Sequence, residues 1–344
     1  MIKVAINGFG RIGRIAFRVA RTHYKKKVKI VAVNTSGSMD AQGWAHMLKY
    51  DSVYGRFKEN FEVEGKKARG QEGEIGTLVF GKERIPVLAQ RDPAKIPWDK
   101  YKVEVVIEAT GVFTKGVDAK KHVLAGAQKV VISAPSEDTP TFVIGVNEEK
   151  YRGTVVNNAS CTTNCVAPIT KIIWENFGIE KAMMSTIHAY TSSQELVDGS
   201  SKSLRRARAA AINIVPTTTG AARATIRVMP EIAGLFDGLA YRVPVASGSI
   251  ADFVFLVTKR TTVEEVNQVF KKEERGKYKG IVEVTEEPLV STDILGTTAS
   301  AIVDLNLTRV VDHDLVKIVA WYDNEWGYCC RLIEEVILVG GGKI

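Results

Sequence analysis

The residues best suited to do chemistry are a cysteine in a polar run and a histidine further along the chain. Cys161 stands in Ser-Cys-Thr-Thr-Asn-Cys at 160–165, and His188 in Ser-Thr-Ile-His-Ala-Tyr-Thr at 185–191. A thiolate is a strong nucleophile, and an imidazole can take a proton from a thiol or a hydroxyl group. The chain also carries Gly8-x-Gly10-x-x-Gly13, a spacing typical of loops that bind the pyrophosphate of a dinucleotide. Together these features predict oxidation of an aldehyde through a covalent thioester.

The surroundings of Cys161 favour a nucleophile over a structural cysteine. Helical spacing over residues 165–176 places Cys161 near a helix start, where backbone N–H groups favour a thiolate. With His188 beside it, the thiol pKa is expected to fall to about 6 from an ordinary value of about 8.5. Cys161 and Cys165 have no second ligand pair to complete a metal site, so we expect no metal. The other histidines lie in helical or turn contexts and are expected at the surface: His23, His46, His122 and His313.

Strand-like and helical segments alternate over the first 160 residues. Runs rich in Val and Ile occupy residues 3–7, 28–34, 103–109, 129–133 and 155–158, with helical patterns at 11–23 and 118–125. This order predicts a Rossmann-type, doubly wound parallel sheet in an α/β domain. The glycine loop falls between the first strand and the first helix, where a helix N-terminus binds pyrophosphate.

The pattern changes after Cys161 to longer extended segments with few helices between them. These segments are residues 181–190, 238–245, 250–259, 300–311 and 315–323. They predict an α+β catalytic domain with a mixed or antiparallel sheet. A helix is predicted at 262–274, capped by Thr262 with Glu265 three positions on, and another at 326–339. We therefore expect a dinucleotide-binding domain of residues 1–160 plus 325–344 and a catalytic domain of residues 161–324.

Composition limits the class of protein. A chain of 344 residues with 45% hydrophobic and 25% charged residues is typical of a globular protein of two domains. No run approaches the roughly 18 apolar residues of a membrane span, and the first residues run straight into the glycine loop without a signal-peptide pattern. Four cysteines predict a reducing cytoplasm. The net charge of +8 is spread along the chain without a recognition motif, so it favours anionic phosphates over a nucleic acid.

The second strand lacks the acidic residue that usually holds the adenosine ribose. It ends in Val-Asn-Thr-Ser-Gly at 33–37, with no carboxylate before Asp40. An aspartate there would repel a 2′-phosphate by roughly 4 kcal/mol at 4 Å and an effective dielectric of 20. Thr35 and Ser36 instead offer two hydroxyl donors. The loop is therefore expected to accept NADP as well as NAD.

From the first strand through the C-terminal helix, the chain resembles the phosphorylating glyceraldehyde-3-phosphate dehydrogenases. The resemblance includes Ile-Asn-Gly-Phe-Gly-Arg-Ile-Gly-Arg at the start, the run around Cys161, and Trp-Tyr-Asp-Asn-Glu-Trp-Gly-Tyr near the end. The matching stretches are residues 6–14, 48–52, 108–111, 158–165, 188–191, 204–209, 216–222 and 321–328. They follow one another in the order of the family.

The resemblance implies roles for many residues. Cys161 would attack glyceraldehyde 3-phosphate, His188 would move the protons, and inorganic phosphate would release an acyl phosphate from the thioester. The implied cofactor-binding residues are Gly8, Gly10, Arg11, Ile12, Gly13, Thr35, Ser36, Arg91, Thr110, Ser133, Gly199, Ser200 and Asn324. The implied residues for substrate and phosphate are Ser160, Thr162, Thr191, Arg206, Thr219, Gly220 and Arg242. A cytoplasmic homotetramer is also implied, acting in glycolysis or in gluconeogenesis.

Three departures and three rivals stay open at this point. NAD-selective relatives usually have Asp near Thr35 and a Leu-Pro pair where this chain has Gly199-Ser200. Arg91 matches an arginine that can help neutralise the 2′-phosphate of NADP. We therefore expect the enzyme to use both cofactors or to favour NADP. The third departure is Ala246-Ser247-Gly248, where the family commonly has a Pro-Asn pair, and the sequence assigns it no consequence. The rivals are an erythrose-4-phosphate dehydrogenase, a non-phosphorylating aldehyde dehydrogenase and a catalytically idle binding protein.

Overall fold

The computed structural model describes residues 1–65, 70 and 72–344. The chain splits into two compact units. The first comprises Met1–Phe142, Lys150–Ala159 and Cys329–Ile344; the second comprises Val143–Glu149 and Ser160–Tyr328. These units place residues 143–149, 160 and 325–328 in the second unit, whereas the sequence assigns them to the first domain. The domain boundaries at 160 and 325 therefore stay a prediction.

The described part of the first unit contains an eight-stranded sheet in the order β3-β4-β5-β2-β1-β6-β7-β8. Its strands are β1 (Ile2–Asn7), β2 (Val28–Thr35), β3 (Glu62–Glu64), β4 (Gly73–Phe80), β5 (Glu83–Ala89), β6 (Val105–Glu108), β7 (Lys129–Ile132) and β8 (Val155–Asn157). Its helices are α1 (Arg11–His23), α2 (Ala41–Lys49), α3 (Gly116–Leu124) and the C-terminal α7 (Trp326–Val339), of which residues from Cys329 onward belong to this unit. The neighbouring strands β5-β2-β1-β6-β7-β8 of this sheet all pair in parallel, which confirms the Rossmann-type fold. The sequence did not predict α2 or the antiparallel β3–β4–β5 extension.

Burial explains why the central strands read as continuous apolar runs. Val4, Ala5 and Ile6 of β1 are completely buried, as expected for a parallel strand covered by helices on both faces. Helix α1 packs onto this sheet through Phe17, whose ring meets Phe9 edge-on with centroids 5.7 Å apart. The core thus fixes the loop between β1 and α1, which carries the glycine motif.

The described part of the second unit contains a mixed sheet in the order β10-β11-β9-β12-β16-β14-β13, with β15 paired to β16. Its strands are β9 (Lys181–Ala189), β10 (Val215–Thr218), β11 (Phe236–Val243), β12 (Ser249–Leu256), β13 (Val282–Thr285), β14 (Ala301–Asp304), β15 (Arg309–Val311) and β16 (Leu315–Tyr322). Its helices are α4 (Cys161–Phe177), α5 (Ala221–Val228) and α6 (Val263–Arg275). The mixed sheet is confirmed, and α6 has the predicted capping box between Thr262 and Glu265.

Two details of the second unit differ from the sequence prediction. The extended segment expected at 300–311 is broken by a 3₁₀ turn at Leu305–Leu307, so it forms two short strands. Helix α5 was not predicted, because it is short and follows a threonine-rich strand. Among the described residues, none of the helices has the length and apolarity needed to cross a membrane.

Candidate active site

The first turn of α4 positions Cys161. Ser160 is the N-cap, and its hydroxyl oxygen accepts a hydrogen bond from the Thr163 N–H at 3.1 Å. Cys161 is then the first residue of the helix, where unpaired N–H groups and the helix dipole stabilise an anion. Cys161 as a residue is partly exposed, whereas Cys165, one turn on, is fully buried. Only the first of the two cysteines is thus accessible to a substrate.

His188 reaches the thiol from the end of β9. Its Nε2 lies 3.3 Å from Cys161 Sγ, and the residue is 3% exposed. Strand β11 pairs in parallel with β9 and places Arg242 directly opposite His188. Arg242 Nη1 lies 2.9 Å from His188 Nδ1 and 3.0 Å from the Ala189 carbonyl oxygen. The register of two strands therefore sets a guanidinium behind the imidazole, on the side away from the sulfur.

The two contacts at His188 Nδ1 require opposite tautomers. Nδ1 lies 2.6 Å from the Ala189 carbonyl oxygen, which can only accept, and 2.9 Å from Arg242 Nη1, which can only donate. With the proton on Nδ1, the ring donates to Ala189 and its bare Nε2 faces the thiol. With Nδ1 bare, the ring accepts from Arg242 and its Nε2–H faces the sulfur. Only the first tautomer can take the thiol proton.

Burial controls the protonation of this pair. Desolvation, the charge of Arg242 and the charge of Arg206 lower the pKa of His188 to about 3, against the Ala189 hydrogen bond, which raises it. Burial raises the pKa of the Cys161 thiol, although the Arg242 charge and hydrogen bonds with Thr162 lower it. The predicted drop in the thiol pKa is therefore wrong for this structure, because desolvation of the charged forms outweighs their attraction. Burial thus favours the neutral form of each group.

The residues implied for phosphate binding lie around this pair. Arg242 Nη1 lies 3.4 Å from the Thr191 hydroxyl oxygen, and Arg206 Nε donates to the Thr217 hydroxyl at 3.1 Å. Thr219 and Gly220 precede α5, and the Thr219 hydroxyl oxygen accepts from the Ala221 N–H at 3.1 Å. Burial and the charge of Arg206 both lower the pKa of Arg242. Two guanidiniums within electrostatic range of each other favour an anion between them.

Thr162 offers fewer groups for binding a phosphate than the sequence implied. Its hydroxyl lies 3.0 Å from the Tyr322 hydroxyl, and the residue is 4% exposed. The hydroxyl is therefore committed inside the unit, and only the backbone at this position is left for a phosphate. The Tyr322 ring also meets His188 edge-on, with centroids 5.9 Å apart.

Three of the implied cofactor residues lie in the second unit. Asn324 follows β16, is 5% exposed, and its Oδ1 accepts from the Gly248 N–H at 3.0 Å. Gly199 and Ser200 are exposed in the loop between β9 and β10, where the Gly199 N–H donates to the Ala207 carbonyl at 2.9 Å.

The glycine motif of the first unit borders a cavity of about 510 Å³. Gly8 has φ +95°, and a Cβ there would lie 2.6 Å from the Thr110 backbone nitrogen. A Cβ on Gly13 would lie 2.0 Å from the Gly8 carbonyl oxygen, whereas one on Gly10 would meet nothing within 4 Å. The implied residues that line the cavity are Gly8, Gly10, Thr35, Ser36, Arg91 and Thr110. The close backbone approach and the N-terminus of α1 fit the pyrophosphate of a dinucleotide.

The remaining implied residues of this unit support the cradle from outside the cavity. Arg11, Ile12 and Gly13 form the first turn of α1, and Ser133 follows β7. The Arg11 side chain is ion-paired with Asp51.

Thr35 does not offer a free hydroxyl. The residue is 2% exposed, and its hydroxyl donates to the Leu88 carbonyl at 2.9 Å and accepts from the Gly37 N–H at 3.2 Å. The expectation of two hydroxyl donors is therefore wrong, because pairing of β2 with β5 turns Thr35 inward. Ser36 is exposed and hydrogen-bonded to Ser38 at 2.9 Å. Ser36 and the exposed Arg91 are among the polar residues that line the cavity.

Sequence reasoning missed a buried polar network beneath the cradle. Glu108 accepts from the Thr110 N–H at 2.8 Å and lies 2.9 Å from His122 Nε2. The Trp98 indole can only donate, and it lies 2.9 Å from His122 Nδ1, so His122 carries its proton on Nε2 and donates to Glu108. His122 is completely buried, so its expected surface position is wrong. A carboxylate ending an otherwise apolar strand, and Asn7 before the first glycine, were the available signals.

Comparison with known proteins agrees with this geometry. The family model described as "Glyceraldehyde 3-phosphate dehydrogenase, NAD binding domain" matches residues 2–116, and that described as "Glyceraldehyde 3-phosphate dehydrogenase, C-terminal domain" matches residues 160–324. A "Glyceraldehyde-3-phosphate dehydrogenase" of Streptomyces coelicolor is 50% identical over 344 residues, which cover 98% of each chain. The chain belongs to the glyceraldehyde-3-phosphate dehydrogenase family.

Other relatives agree over the same length. "Glyceraldehyde-3-phosphate dehydrogenase 2" of Streptomyces avermitilis is 49% identical over 343 residues, and the "Glyceraldehyde-3-phosphate dehydrogenase" of Mycobacterium tuberculosis is 47% identical over 346 residues; each alignment covers 98% of both chains. The predicted family and the α/β fold are confirmed. The protein is an oxidoreductase of the glyceraldehyde-3-phosphate dehydrogenase family with an NAD-binding first domain.

Proposed function

We propose that this glyceraldehyde-3-phosphate dehydrogenase converts glyceraldehyde 3-phosphate and inorganic phosphate to 1,3-bisphosphoglycerate through a thioester on Cys161. One observation carries the proposal: Cys161 Sγ lies 3.3 Å from His188 Nε2 at the start of α4. A nucleophile at a helix N-terminus, within hydrogen-bond distance of a base, is an arrangement suited to covalent catalysis. Arg242, directly behind the imidazole, supplies the positive charge that a phosphorylated aldehyde needs.

His188 moves protons in each step. As Sγ attacks the aldehyde carbon, Nε2 takes the thiol proton and delivers it to the carbonyl oxygen, which gives a thiohemiacetal. Nε2 then takes the hydroxyl proton as the carbon is oxidised to the thioester. When bound, NAD supplies the acceptor for the hydride that leaves this carbon. A phosphate oxygen next attacks the thioester, and the sulfur leaves as a thiolate that recovers the proton from His188.

The anion-binding residues divide between the two phosphates. We assign Thr191, Arg206 and Arg242 to the phosphate groups of the substrates. Ser160, Thr219 and Gly220 lie at helix starts, where hydroxyls and N–H groups can bind the attacking phosphate, and Thr162 contributes its backbone there. Asn324 is assigned to the carboxamide of the nicotinamide.

A cysteine pair tests this function. Cys161→Ser should lower kcat by on the order of a thousandfold or more, because an unactivated hydroxyl replaces the thiol. Cys165→Ser is the matched control and should keep turnover near that of the unaltered enzyme, since Cys165 is fully buried away from the substrate. The readout is the absorbance of the reduced cofactor with glyceraldehyde 3-phosphate and phosphate. Full turnover by Cys161→Ser would refute the proposal. Turnover that does not require phosphate, or faster oxidation of erythrose 4-phosphate, would support the rival enzymes.

We further propose dual or NADP-leaning cofactor use. The cavity rim carries Ser36 and Arg91 and no carboxylate from β2, so a 2′-phosphate meets a hydroxyl and a cation. The exposed Gly199-Ser200 pair also supports NADP use, since NAD-selective relatives usually have a Leu-Pro pair there. The ratio of kcat/KM for NADP to that for NAD tests it, and a preference for NAD above about a hundredfold would exclude it. Ser36→Asp should move the ratio toward NAD by restoring charge repulsion.

A homotetramer, implied by the family resemblance, is supported by the loop that joins β9 to β10. This loop exposes large apolar side chains to a degree unusual for a free surface. They are Leu196 at 80%, Val197 at 71%, Leu204 at 86%, Ile212 at 80% and Ile214 at 69% exposure. Light scattering should give four times the chain mass, and Leu204→Ser should loosen the assembly. A cytoplasmic location is proposed from the four free cysteines.

A further inference from the structure

The segment that departs from the family pattern surrounds the amide of Asn324. Three donors converge on Asn324 Oδ1: the Gly248 N–H at 3.0 Å, the Ser249 hydroxyl at 2.9 Å and the Ser247 hydroxyl at 3.5 Å. All are buried, with Ser247 at 3%, Ser249 at 1% and Asn324 at 5% exposure. In the described part of the chain, no acceptor bonds Asn324 Nδ2. The amide is thus held by its oxygen alone.

The backbone donor fixes which atom of the amide is which. A peptide N–H can only donate, so the Asn324 atom facing Gly248 must be the oxygen, and the nitrogen must point away. Gly248 has φ +88°, and a Cβ there would lie 2.2 Å from the Ser291 carbonyl oxygen. Only glycine therefore fits the turn that aims this N–H at the amide.

Strand pairing brings Ser249 to the same place. In the antiparallel pair of β12 and β16, Ser249 stands opposite Tyr322, two residues before Asn324. The Ser249 hydroxyl also accepts from the Ala189 N–H at 3.1 Å, so its own proton is left for Asn324. This hydroxyl joins the end of the His188 strand to the amide.

We propose that Ser247, Gly248 and Ser249 are positioning residues that lock the Asn324 amide with its nitrogen toward the nicotinamide carboxamide. This inference rests on the proposed role of Asn324. The locked nitrogen would donate to the carboxamide oxygen of the cofactor and so select one orientation of its nicotinamide ring. Without the lock, the amide rotates, and its oxygen meets the carboxamide oxygen as a second acceptor.

Binding measurements on the full-length protein separate this role from folding. Ser249→Ala should raise the Kd for NAD about three- to tenfold, the effect of one hydrogen bond, and leave the Kd for ADP-ribose, which has no nicotinamide, within about twofold. In turnover, the KM for the cofactor should rise more than the KM for the aldehyde. Ser300→Ala is the matched control, because Ser300 is 4% exposed and its hydroxyl has no partner among the described residues. It should change neither Kd.

Asn324→Ala distinguishes failure of the lock from failure of the assigned role. Weaker NAD binding by Asn324→Ala, with Ser249→Ala binding NAD like Ser300→Ala, would overturn the positioning role and leave the role of Asn324 intact. No selective loss of NAD over ADP-ribose in Asn324→Ala would overturn both. Ser247→Ala, with its longer contact, should lie between Ser249→Ala and the control. Equal losses of NAD and ADP-ribose in Ser249→Ala would also contradict the lock, since they would indicate a general structural defect.

Discussion

The charge of Arg242 should tune both members of the Cys161–His188 pair. Its guanidinium lies 2.9 Å from His188 Nδ1, while the sulfur lies 3.3 Å from Nε2, so one imidazole ring separates the cation from the sulfur. A positive charge here favours a thiolate and disfavours an imidazolium. Arg242→Met removes the charge and keeps much of the apolar stem. We predict that the pKa of the Cys161 thiol rises further and that the pKa of His188 rises from about 3 toward its ordinary value.

The size of the change follows from Coulomb's law. The cation and the sulfur are separated by the 2.9 Å and 3.3 Å contacts and the imidazole ring between them, a distance of roughly 6–8 Å. Unit charges at that distance interact by roughly 0.5–3 kcal/mol for effective dielectric values between that of water and that of a protein surface. This corresponds to about half a pH unit to two pH units in the thiol titration. Desolvation stays in place in the variant, so the pKa of His188 should remain below that of an exposed imidazole.

Alkylation by iodoacetamide measures the thiol directly, because the neutral reagent does not depend on the anion site. The rate of Cys161 modification is followed against pH, with the modified peptide identified by mass spectrometry. The inflection should move to higher pH in Arg242→Met. Arg208→Met is the charge-matched control and should leave it unchanged, since Arg208 is 63% exposed and ion-paired with Asp198. An unmoved or lowered inflection in Arg242→Met would refute the reasoning.

Three further predictions concern the tautomer, the cradle and the core. If a phosphate draws Arg242 from His188 Nδ1, bound phosphate should shift the histidine NMR signal to the Nδ1–H tautomer, and an unchanged signal would contradict this. Gly13→Ala should abolish ADP-ribose binding or folding, because its Cβ would lie 2.0 Å from the Gly8 oxygen. Gly10→Ala should keep binding, because a Cβ there would meet nothing within 4 Å. Equal effects of the two substitutions on ADP-ribose binding in calorimetry would contradict the role of the glycine loop in binding the dinucleotide. Burial raises the pKa of Glu335 well above its usual range, so the contribution of this group to stability should be full below about pH 4 and fall as pH rises toward the raised value. Glu335→Gln should flatten this pH dependence in urea unfolding, and an identical slope in both proteins would exclude it.

Local signals in the sequence were enough for several elements. Helix α1 begins directly after the glycine loop, and α6 carries its own capping box, so both were predicted within a residue or so of their ends. The run of polar residues around Cys161 likewise marked the start of α4. In each case, neighbours in sequence supply the hydrogen bonds that define the element.

Sequence-based prediction failed where a residue's position depends on contacts with residues far away in the chain. His122 can be buried because Trp98 and Glu108, which lie elsewhere in the chain, form hydrogen bonds with both of its ring nitrogens. Thr35 turns inward because of the register between β2 and β5, and the Asn324 lock depends on the register between β12 and β16. The pKa of the Cys161 thiol depends on how deeply the whole unit buries it. Neither strand register nor burial can be read from residue spacing alone.

The most direct test of the central claim is the mass of the Cys161 peptide after the enzyme meets glyceraldehyde 3-phosphate and NAD without inorganic phosphate. The thioester should then accumulate, because the anion that cleaves it is withheld. We predict a phosphoglyceroyl adduct on Cys161 that disappears when phosphate is added. An unmodified Cys161 while reduced cofactor accumulates, or an adduct on another residue, would contradict the account.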